Sequence, residues 1–589
     1  MNIAESRTVL EGRFKTHDGV SLFYRHWPAV RSPRRGAVVM FHRGHEHSAR
    51  MAHLVDELDL ANFDFFAWDA RGHGHSPGAR GFSPGFADSV RDVQTFAEHI
   101  RSHHGIPNEE LAILAQSVGA VLVCTWVHDY APQVRCLVLA SPAFKVKLYV
   151  PFARSGLRLL QRLRGNFFVT SYVKAKFLTS DPQRQASYDS DPLISRAISV
   201  NILLALYEAA SRVVADAHAI TTPTQLLVSD TDWVVHNAPQ HEFFERLGST
   251  IKEKHVLKGF LHDTFGERDR RLAVDKSREF ILRRFAETPS RPDFRNADRQ
   301  GVTHAEASAL AKPLSALTPR GFYWWLARLN IKLGGHLSAG IRLGHDTGFD
   351  SGSSLDYVYR NMANGRGILG RLIDRTYLDA IGWRGVRLRK LHIEELLRQS
   401  MDDLHRDGRS VNVLDVAAGG GRYVLDALRQ CPRRPKSIVF RDYDENNVRI
   451  LNSLLREREL ADIACAIHGD AFDASSLAAT APPPTIGIVS GLYELFPENE
   501  PVCRSLAGLA RAIEAGGYLI YTGQPWHPQL ELIARTLTTH RGGSAWVMRR
   551  RTQAELDQLV AAAGFVKIAQ RIDEWGIFTV SLARRLPAA

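Results

Sequence analysis

In the first half of the chain, apolar residues fall in short continuous runs separated by longer polar stretches compatible with helix. Ala37–Phe41, Phe63–Trp68, Leu111–Leu114, Cys136–Ala140, Gln225–Val228 and His255–Leu257 each read as a short buried strand. Runs of this length alternating with helical segments predict a mainly parallel sheet covered on both faces. The strand signal vanishes between Phe144 and about Ala219. That insertion, about 145–219, is expected to be helical and to cap the sheet's C-terminal edge. Residues 288–318, opening Thr288-Pro289-Ser290-Arg291-Pro292, are polar, lack an apolar period and read as a linker. Residues 319–407 read as mostly helical, with Phe322-Tyr323-Trp324-Trp325 near their start, and a second strand and helix alternation runs from Val411 to about Leu586. The expected organisation is a first α/β domain over 1–287, the linker, a helical lead-in over 319–407, and a second α/β domain over 408–589.

Composition narrows the class. At 589 residues the chain is too long for one ordinary core, so two or more domains are expected. A hydrophobic share of 44% with 23% charged residues is that of a soluble globular protein. The five cysteines, Cys124, Cys136, Cys431, Cys465 and Cys503, are odd in number and show no metal-type or redox pair spacing. Reduced thiols in a cytoplasm follow. Met1 to Gly19 lacks an apolar core of the leader type, so no cleaved signal is expected. The longest apolar stretch, about Leu111–Val127, is broken by Gln116, Ser117 and Gly119, which reads as strand, turn and buried helix and not as a membrane span. The net charge of +12 is dispersed through both halves. Such a surface attracts anionic lipid or acidic metabolites; nucleic acid is not the expected partner.

The first candidate chemistry sits at the end of the Leu111 strand, in Ala115-Gln116-Ser117-Val118-Gly119. A serine hydroxyl is a weak nucleophile and needs a base, a group to orient that base, and donors for the oxyanion. A tight turn after a strand presents the serine, and small flanking residues let it close; Ala115 stands where glycine is usual and Gly119 is retained. Downstream come Asp232, preferred over Asp230 in Ser229-Asp230-Thr231-Asp232-Trp233-Val234-Val235, and His262 in Gly259-Phe260-Leu261-His262-Asp263. Ser, Asp, His is the chain order of an α/β-hydrolase triad. The segments His42-Arg43-Gly44-His45-Glu46-His47-Ser48 and Asp69-Ala70-Arg71-Gly72-His73-Gly74-His75-Ser76, with Leu139-Ala140-Ser141-Pro142 and Tyr188-Asp189-Ser190-Asp191-Pro192, resemble the monoglyceride-lipase-like α/β-hydrolases over about residues 12–285. The resemblance implies Ser117 as nucleophile, His262 as general base, Asp232 as its orienter, and the backbone N–H groups of Gly44 and Val118 as the oxyanion hole. Arg43 and His45 replace glycines of that family. His42, His45, His47, His73 and His75 are structural in it, and no metal is expected. The cap's Arg154, Arg158, Arg162, Arg164, Lys174 and Lys176 read either as a solvated helix face or as a docking surface for anionic lipid.

The second candidate site is Val413-Leu414-Asp415-Val416-Ala417-Ala418-Gly419-Gly420-Gly421-Arg422, a strand, a Gly-rich turn and a helix. Glycines there let a ligand approach the backbone closely. The turn resembles the Asp-x-Gly-x-Gly-x-Gly of class I S-adenosylmethionine-dependent methyltransferases, with Ala417 in place of the first glycine, and the resemblance covers about residues 400–586. It implies S-adenosyl-L-methionine held at Asp415, Ala417, Gly419 and Gly421. Asp442, with Asp444 second, would accept the ribose hydroxyls, and Asp470 would meet the adenine amino group. Tyr493, Glu494, Trp526 and His527 follow strand ends where a methyl acceptor would sit, as a base or as packing.

The order of domains resembles bacterial bifunctional hydrolase/methyltransferases. It implies a serine ester hydrolase of lysophospholipase or monoacylglycerol-lipase type acting on a lipid-like ester, fused to a methyltransferase of a related product. A cytoplasmic chain with peripheral contact to an anionic membrane is expected. Two other readings stay open: a membrane-surface scaffold with one or both domains non-catalytic, and methylation of RNA or protein.

Overall fold

Eight strands of the first half pair into one twisted sheet. In the computed structural model, which describes residues 7–587, they are β1 (Leu10–Lys15), β2 (Ser21–Trp27), β3 (Gly36–Phe41), β4 (Phe63–Trp68), β5 (Leu111–Gln116), β6 (Cys136–Ala140), β9 (Thr224–Ser229) and β10 (Lys252–Leu257). The order is β1-β2-β4-β3-β5-β6-β9-β10, and β2 alone runs against the rest. Strands β3, β4, β5 and β6 are buried at every position because helices cover both faces. One face packs Val38, Met40, Phe65 and Leu114 against Val274, Phe280 and Ile281 of helix Arg271–Ala286. Helices Phe86–His104 and Val118–Tyr130 also pack on one another.

The cap expected to be wholly helical also holds a two-stranded antiparallel ribbon, β7 (Phe168–Thr170) with β8 (Ala197–Ser199). Its three-residue strands are too short to show a period. The rest of the cap is helix Ala153–Arg164, short helix Pro182–Asp189 and helix Val200–Ala215.

Contacts divide the chain after Pro292. The stretch expected as a linker therefore lies mostly in the second unit. Helix Val302–Ala311 forms within it and buries Leu310 against Leu530, Ile533 and Met548. Helices Pro319–Gly334, Ala339–Thr347, Gly352–Arg360, Gly367–Leu378 and Ile381–Arg406 follow. The second sheet comprises β11 (Asn412–Val416), β12 (Ser437–Asp442), β13 (Ala464–His468), β14 (Ile486–Val489), β15 (Tyr518–Gly523), β16 (Phe565–Ile572) and β17 (Thr579–Arg585), in the order β13-β12-β11-β14-β15-β17-β16. Only β17 is antiparallel to its neighbours. Alternate residues of the inner strands serve opposite faces. Val413, Phe440 and Ile488 meet Leu396, Leu397 and Leu451, whereas Leu414, Val439 and Leu519 meet Leu506, Leu509 and Leu559. The strand order reverses between β11 and β14, and ligands of open α/β sheets bind at such a reversal. The leader reading over Met1 to Gly19 reaches residues 1–6, which lie outside the described residues.

Candidate functional sites

Strand β5 ends at Gln116, and helix Val118–Tyr130 begins two residues later. Ser117 between them takes φ 56° and ψ −116°, a strained conformation for a residue with a side chain. Hydrogen bonds hold it there: its N–H donates to Ala140 O at 2.9 Å and its carbonyl accepts from Ala143 N at 3.1 Å. Gly119 is required by close approach, since a Cβ there would stand 2.5 Å from His42 O. Ala115 is accommodated in the strand with no exposed surface.

The loops after β9 and β10 bring Asp232 and His262 to this turn. His262 Nε2 lies 2.8 Å from Ser117 Oγ and His262 Nδ1 lies 2.7 Å from Asp232 Oδ2. Asp232 Oδ1 accepts from Val234 N (2.7 Å) and Val235 N (2.9 Å). All three side chains are buried. Burial pushes the Asp232 carboxyl up, but His262 and the two backbone N–H groups outweigh it and hold the group below its ordinary value. An ionised Asp232 fixes the proton on Nδ1, so Nε2 is the acceptor for the serine hydroxyl. Asp230 is turned elsewhere: it accepts from Gly259 N at 2.7 Å.

Gly44 and Val118 meet across the turn; a Cβ on Gly44 would lie 3.3 Å from Val118 Cγ2. Val118 opens its helix, so its N–H has no intrahelical acceptor. Asp69 ties two loops together, accepting from Ser48 N (2.7 Å) and His75 N (2.7 Å). Position 74 needs glycine, because a Cβ there would stand 2.1 Å from Asp69 Oδ2 and φ is +50°. The loop histidines also hold backbone: Ala70 N donates to His42 Nε2 (3.1 Å), and His73 Nδ1 donates to Arg71 O (2.8 Å). His45 takes φ 71°, the left-handed region that glycine occupies more easily.

An ion network beside the triad went unread in the sequence. Buried Arg43 pairs with Glu46 (2.6 Å) and reaches Asp263 at 3.6 Å. Asp263 in turn takes Arg184 Nε (3.1 Å) and Gln116 Nε2 (3.2 Å), while Gln116 also donates to His262 O (3.1 Å). Asp263 directly follows His262, and that adjacency was the one signal available.

In the second unit Ala417, Gly419 and Gly421 all have positive φ, 56°, 54° and 58°. Ala417 holds with a side chain what its neighbours hold as glycine, at about 1–2 kcal/mol of strain. A Cβ on Gly420 would meet nothing within 4 Å, so the turn is open on that side. Asp442 ends β12; its Oδ2 accepts from Gly419 N (2.7 Å), and Oδ1 accepts from Asp444 N (2.9 Å) and Asn447 Nδ2 (3.1 Å). A carboxylate has about four acceptor positions, so one remains. Asp444 serves as the N-cap of helix Glu445–Glu457. Asp415 is fully buried; Tyr423 donates to its Oδ1 at 2.8 Å and its Oδ2 has no partner. Burial raises its carboxyl well above the ordinary range, although Tyr423 opposes that. Asp470 is exposed and accepts from Phe472 N at 2.8 Å. These positions surround the strand-order reversal.

Of the four residues after strand ends, buried Glu494 accepts from Thr522 Oγ1 (2.8 Å) and has its Oε2 unpartnered. His527 accepts from Gln529 N at Nδ1 (3.0 Å). Tyr493 donates to Ser505 Oγ (3.0 Å) in the core, and Trp526 lies under Arg550. Among the described residues no group of three or more His, Cys, Asp or Glu could hold a metal.

With this geometry in hand, the comparisons are specific. Residues 277–585 match a family model described as "Putative methyltransferase". An uncharacterised protein of Escherichia coli K12, YnbC, is 54% identical over 98% of this chain and 99% of its own length. The chain belongs to this family. Residues 32–269 match a second model, described as serine aminopeptidase, S33. A monoacylglycerol lipase of Mycolicibacterium smegmatis is 27% identical over 47% of this chain and 98% of its own. A solved monoacylglycerol lipase from Paleococcus ferrophilus aligns at 23% identity over 47% of this chain and 99% of that chain, with a TM-score of 0.40. The layout is therefore an α/β-hydrolase of monoglyceride-lipase type followed by a class I methyltransferase fold.

Proposed function

We propose that the first unit hydrolyses a carboxylic ester of a lipid-like substrate through Ser117 and that the second is an S-adenosylmethionine-dependent methyltransferase. The observation that carries the reading is the continuous hydrogen-bond chain Ser117 Oγ, His262, Asp232.

Ser117 Oγ attacks the ester carbonyl as His262 Nε2 takes its proton. Val118 N and Gly44 N stabilise the oxyanion. His262 then protonates the leaving alkoxide, and Asp232 holds the imidazolium. Water repeats the sequence on the acyl-serine and frees the acid. The lipid-like substrate rests on the monoglyceride lipases this unit resembles, and on the cap. Helix Ala153–Arg164 leaves Leu159 and Leu163 exposed beside Arg158, Arg162 and Arg164, with Phe152 exposed at its start. An apolar face flanked by arginines suits peripheral contact with an anionic membrane from the cytoplasmic side. Among the described residues no helix is long and apolar enough to cross one.

The second unit's residues fit the cofactor. The open Gly419-Gly420 turn gives it room, the last acceptor position of Asp442 takes a ribose hydroxyl, Asp470 takes the adenine amino group, and the orphaned Asp415 Oδ2 lies at the same strand end. When bound, S-adenosylmethionine supplies an electrophilic methyl group.

Labelling with a fluorophosphonate probe tests the first half. Wild type is labelled and hydrolyses monoacylglycerol; Ser117→Ala does neither. A Ser117→Ala chain that keeps its esterase activity overturns the assignment, and cleavage of aminoacyl anilides in place of esters would move the substrate to peptides. Equilibrium dialysis with labelled S-adenosylmethionine tests the second half, where absence of binding overturns it.

A further inference from the structure

A cavity of about 400 Å³ lies in the second unit, reached by Gly491 after β14 and Gln524 after β15. Its wall is apolar: Ile341, Phe349, Trp383, Val386, Ile533 and Phe578 line it. Arg389, Glu494, Gln524, His527 and Trp546 also line it, and Arg389 Nη1 stands 3.9 Å from Glu494 Oε1. Arg389, Glu494, Gln524 and His527 are 4%, 7%, 3% and 5% exposed. Yet Arg389 Nε, Gln524 Nε2, Trp546 Nε1 and Glu494 Oε2 have no hydrogen-bond partner. Buried polar groups are almost always paired, so four unpaired in one cavity mark a ligand's place.

The inventory selects the ligand's chemistry. Arg389, Gln524 and Trp546 offer donors. His527 adds a fourth, since its Nδ1 accepts from Gln529 N and the neutral ring therefore carries its proton on Nε2. Burial holds that ring neutral, its value lowered to about 4. Glu494 Oε2 is the one free acceptor. A hydroxyl can donate to Glu494 Oε2 while accepting from two of the four donors. A protonated amine cannot accept, and a carboxylate has no proton to donate to Glu494 Oε2.

We propose that this cavity binds the methyl acceptor, an apolar alcohol or phenol whose hydroxyl is deprotonated by Glu494. The proposal rests on the methyltransferase reading given above. The hydroxyl proton passes to Glu494 Oε2 as an oxygen lone pair forms the new O–CH₃ bond. The S–CH₃ bond of the sulfonium donor breaks, and the sulfur keeps its electron pair.

The test uses the full chain with Ser117 first blocked by a fluorophosphonate, so that the hydrolase site binds no probe. Decan-1-ol, decylamine and decanoate are each titrated against tryptophan emission, to which Trp383 and Trp546 in the cavity contribute. Each is then incubated with methyl-labelled S-adenosylmethionine. Decan-1-ol is expected to change the emission saturably and to be recovered as its methyl ether. Val386→Trp, filling the cavity, loses the saturable change while still binding the cofactor. Glu494→Gln keeps decanol and cofactor binding but loses transfer by about 100-fold or more. Label on the amine or carboxylate in preference, undiminished transfer by Glu494→Gln, or no decanol signal from a chain that binds cofactor each overturns the proposal. A chain that binds no cofactor overturns the methyltransferase reading instead, and the decanol titration then decides the cavity by itself.

Discussion

The two sites differ in how far each completes itself. At Ser117 every reactive side chain is satisfied by another: serine to histidine, histidine to aspartate, aspartate to two backbone N–H groups. At Asp415 and Glu494 buried polar atoms are left without partners. On the functions proposed above the reason is chemical. A serine hydrolase carries its nucleophile and base in its own chain, so the catalytic network can close before substrate arrives. A methyl transfer takes both reacting groups from ligands, so the protein must hold unpaired polar atoms where those ligands go, at a desolvation penalty of about 1–3 kcal/mol each.

The sharpest way to break the contrast is to open the closed site. Asp232→Asn keeps the size but supplies an N–H where His262 Nδ1–H needs an acceptor. The favoured tautomer then puts the proton on Nε2, where Ser117 needs a base. A loss of about 10⁴ in kcat is expected for ester hydrolysis, with the fold intact by circular dichroism. A loss below tenfold would mean that Asp232 does not orient the base.

The buried ions beside the triad give the next effect. Arg43→Met leaves Glu46 with Arg50 alone and Asp263 with Arg184 as its remaining ion partner. Removing one member of a buried network costs about 3 kcal/mol. In calorimetry the unfolding of the first unit should fall accordingly while the second unit's stays. The open site predicts the opposite sign. Asp415→Asn removes a buried carboxylate with an orphaned oxygen, and the amide oxygen still accepts from Tyr423. The second unit should be as stable as before or more so, while cofactor affinity by equilibrium dialysis falls about tenfold, the effect of one lost hydrogen bond.

What could be read from the sequence follows the same physics. Strands β3 to β6 were legible because burial on both faces leaves continuous apolar runs. The hairpin of β1 and β2 was not, since β1 is mostly exposed and its only buried side chain is Phe14. Helix Val302–Ala311 hid in an apparent linker because it buries little beyond Thr303 and Leu310. Candidate site residues were found where they lie in local segments: Ser117 in its turn, Asp415 to Gly421 in one strand end and the turn after it. The Arg43, Asp263 and Arg184 network joins three distant segments, and the cavity gathers residues from Ile331 to Phe578. Neither has a local pattern. Glu494 and His527 could be placed after strand ends, but not sorted into proton acceptor and donor until their partners were known.

The smallest predicted effect separates the units by pH. In the first unit burial holds His42, His45 and His73 below the ordinary histidine value, His45 at about 4 and His73 at about 3. Folded, these rings stay neutral; unfolded, they take up protons below about pH 6.5. The unfolded state therefore binds more protons there, and stability is lost as pH falls from 6.5 toward the folded values, by at most about 1.4 kcal/mol per pH unit for each ring. Asp92 opposes them: burial raises it to about 6 against the pull of Arg71, so it adds stability between pH 6 and the unfolded carboxyl range. His53, His99, His104, His236 and His241, also held low, act with the three loop rings, and His128, held high, acts with Asp92, so the balance is a net loss. In the second unit His527 acts in the first sense, and Asp415, raised well above its ordinary value, acts in the other. The two oppose one another. Calorimetry at pH 6.5, 5.5 and 4.5 should then show the hydrolase transition moving down while the methyltransferase transition stays within a few degrees. Filling the second unit's cavity with decan-1-ol should raise only that second transition, by the same increment at each pH, because a neutral alcohol binds without proton exchange. A pH-dependent increment would mean that the alcohol's proton is already shared with a titrating group before the methyl donor arrives.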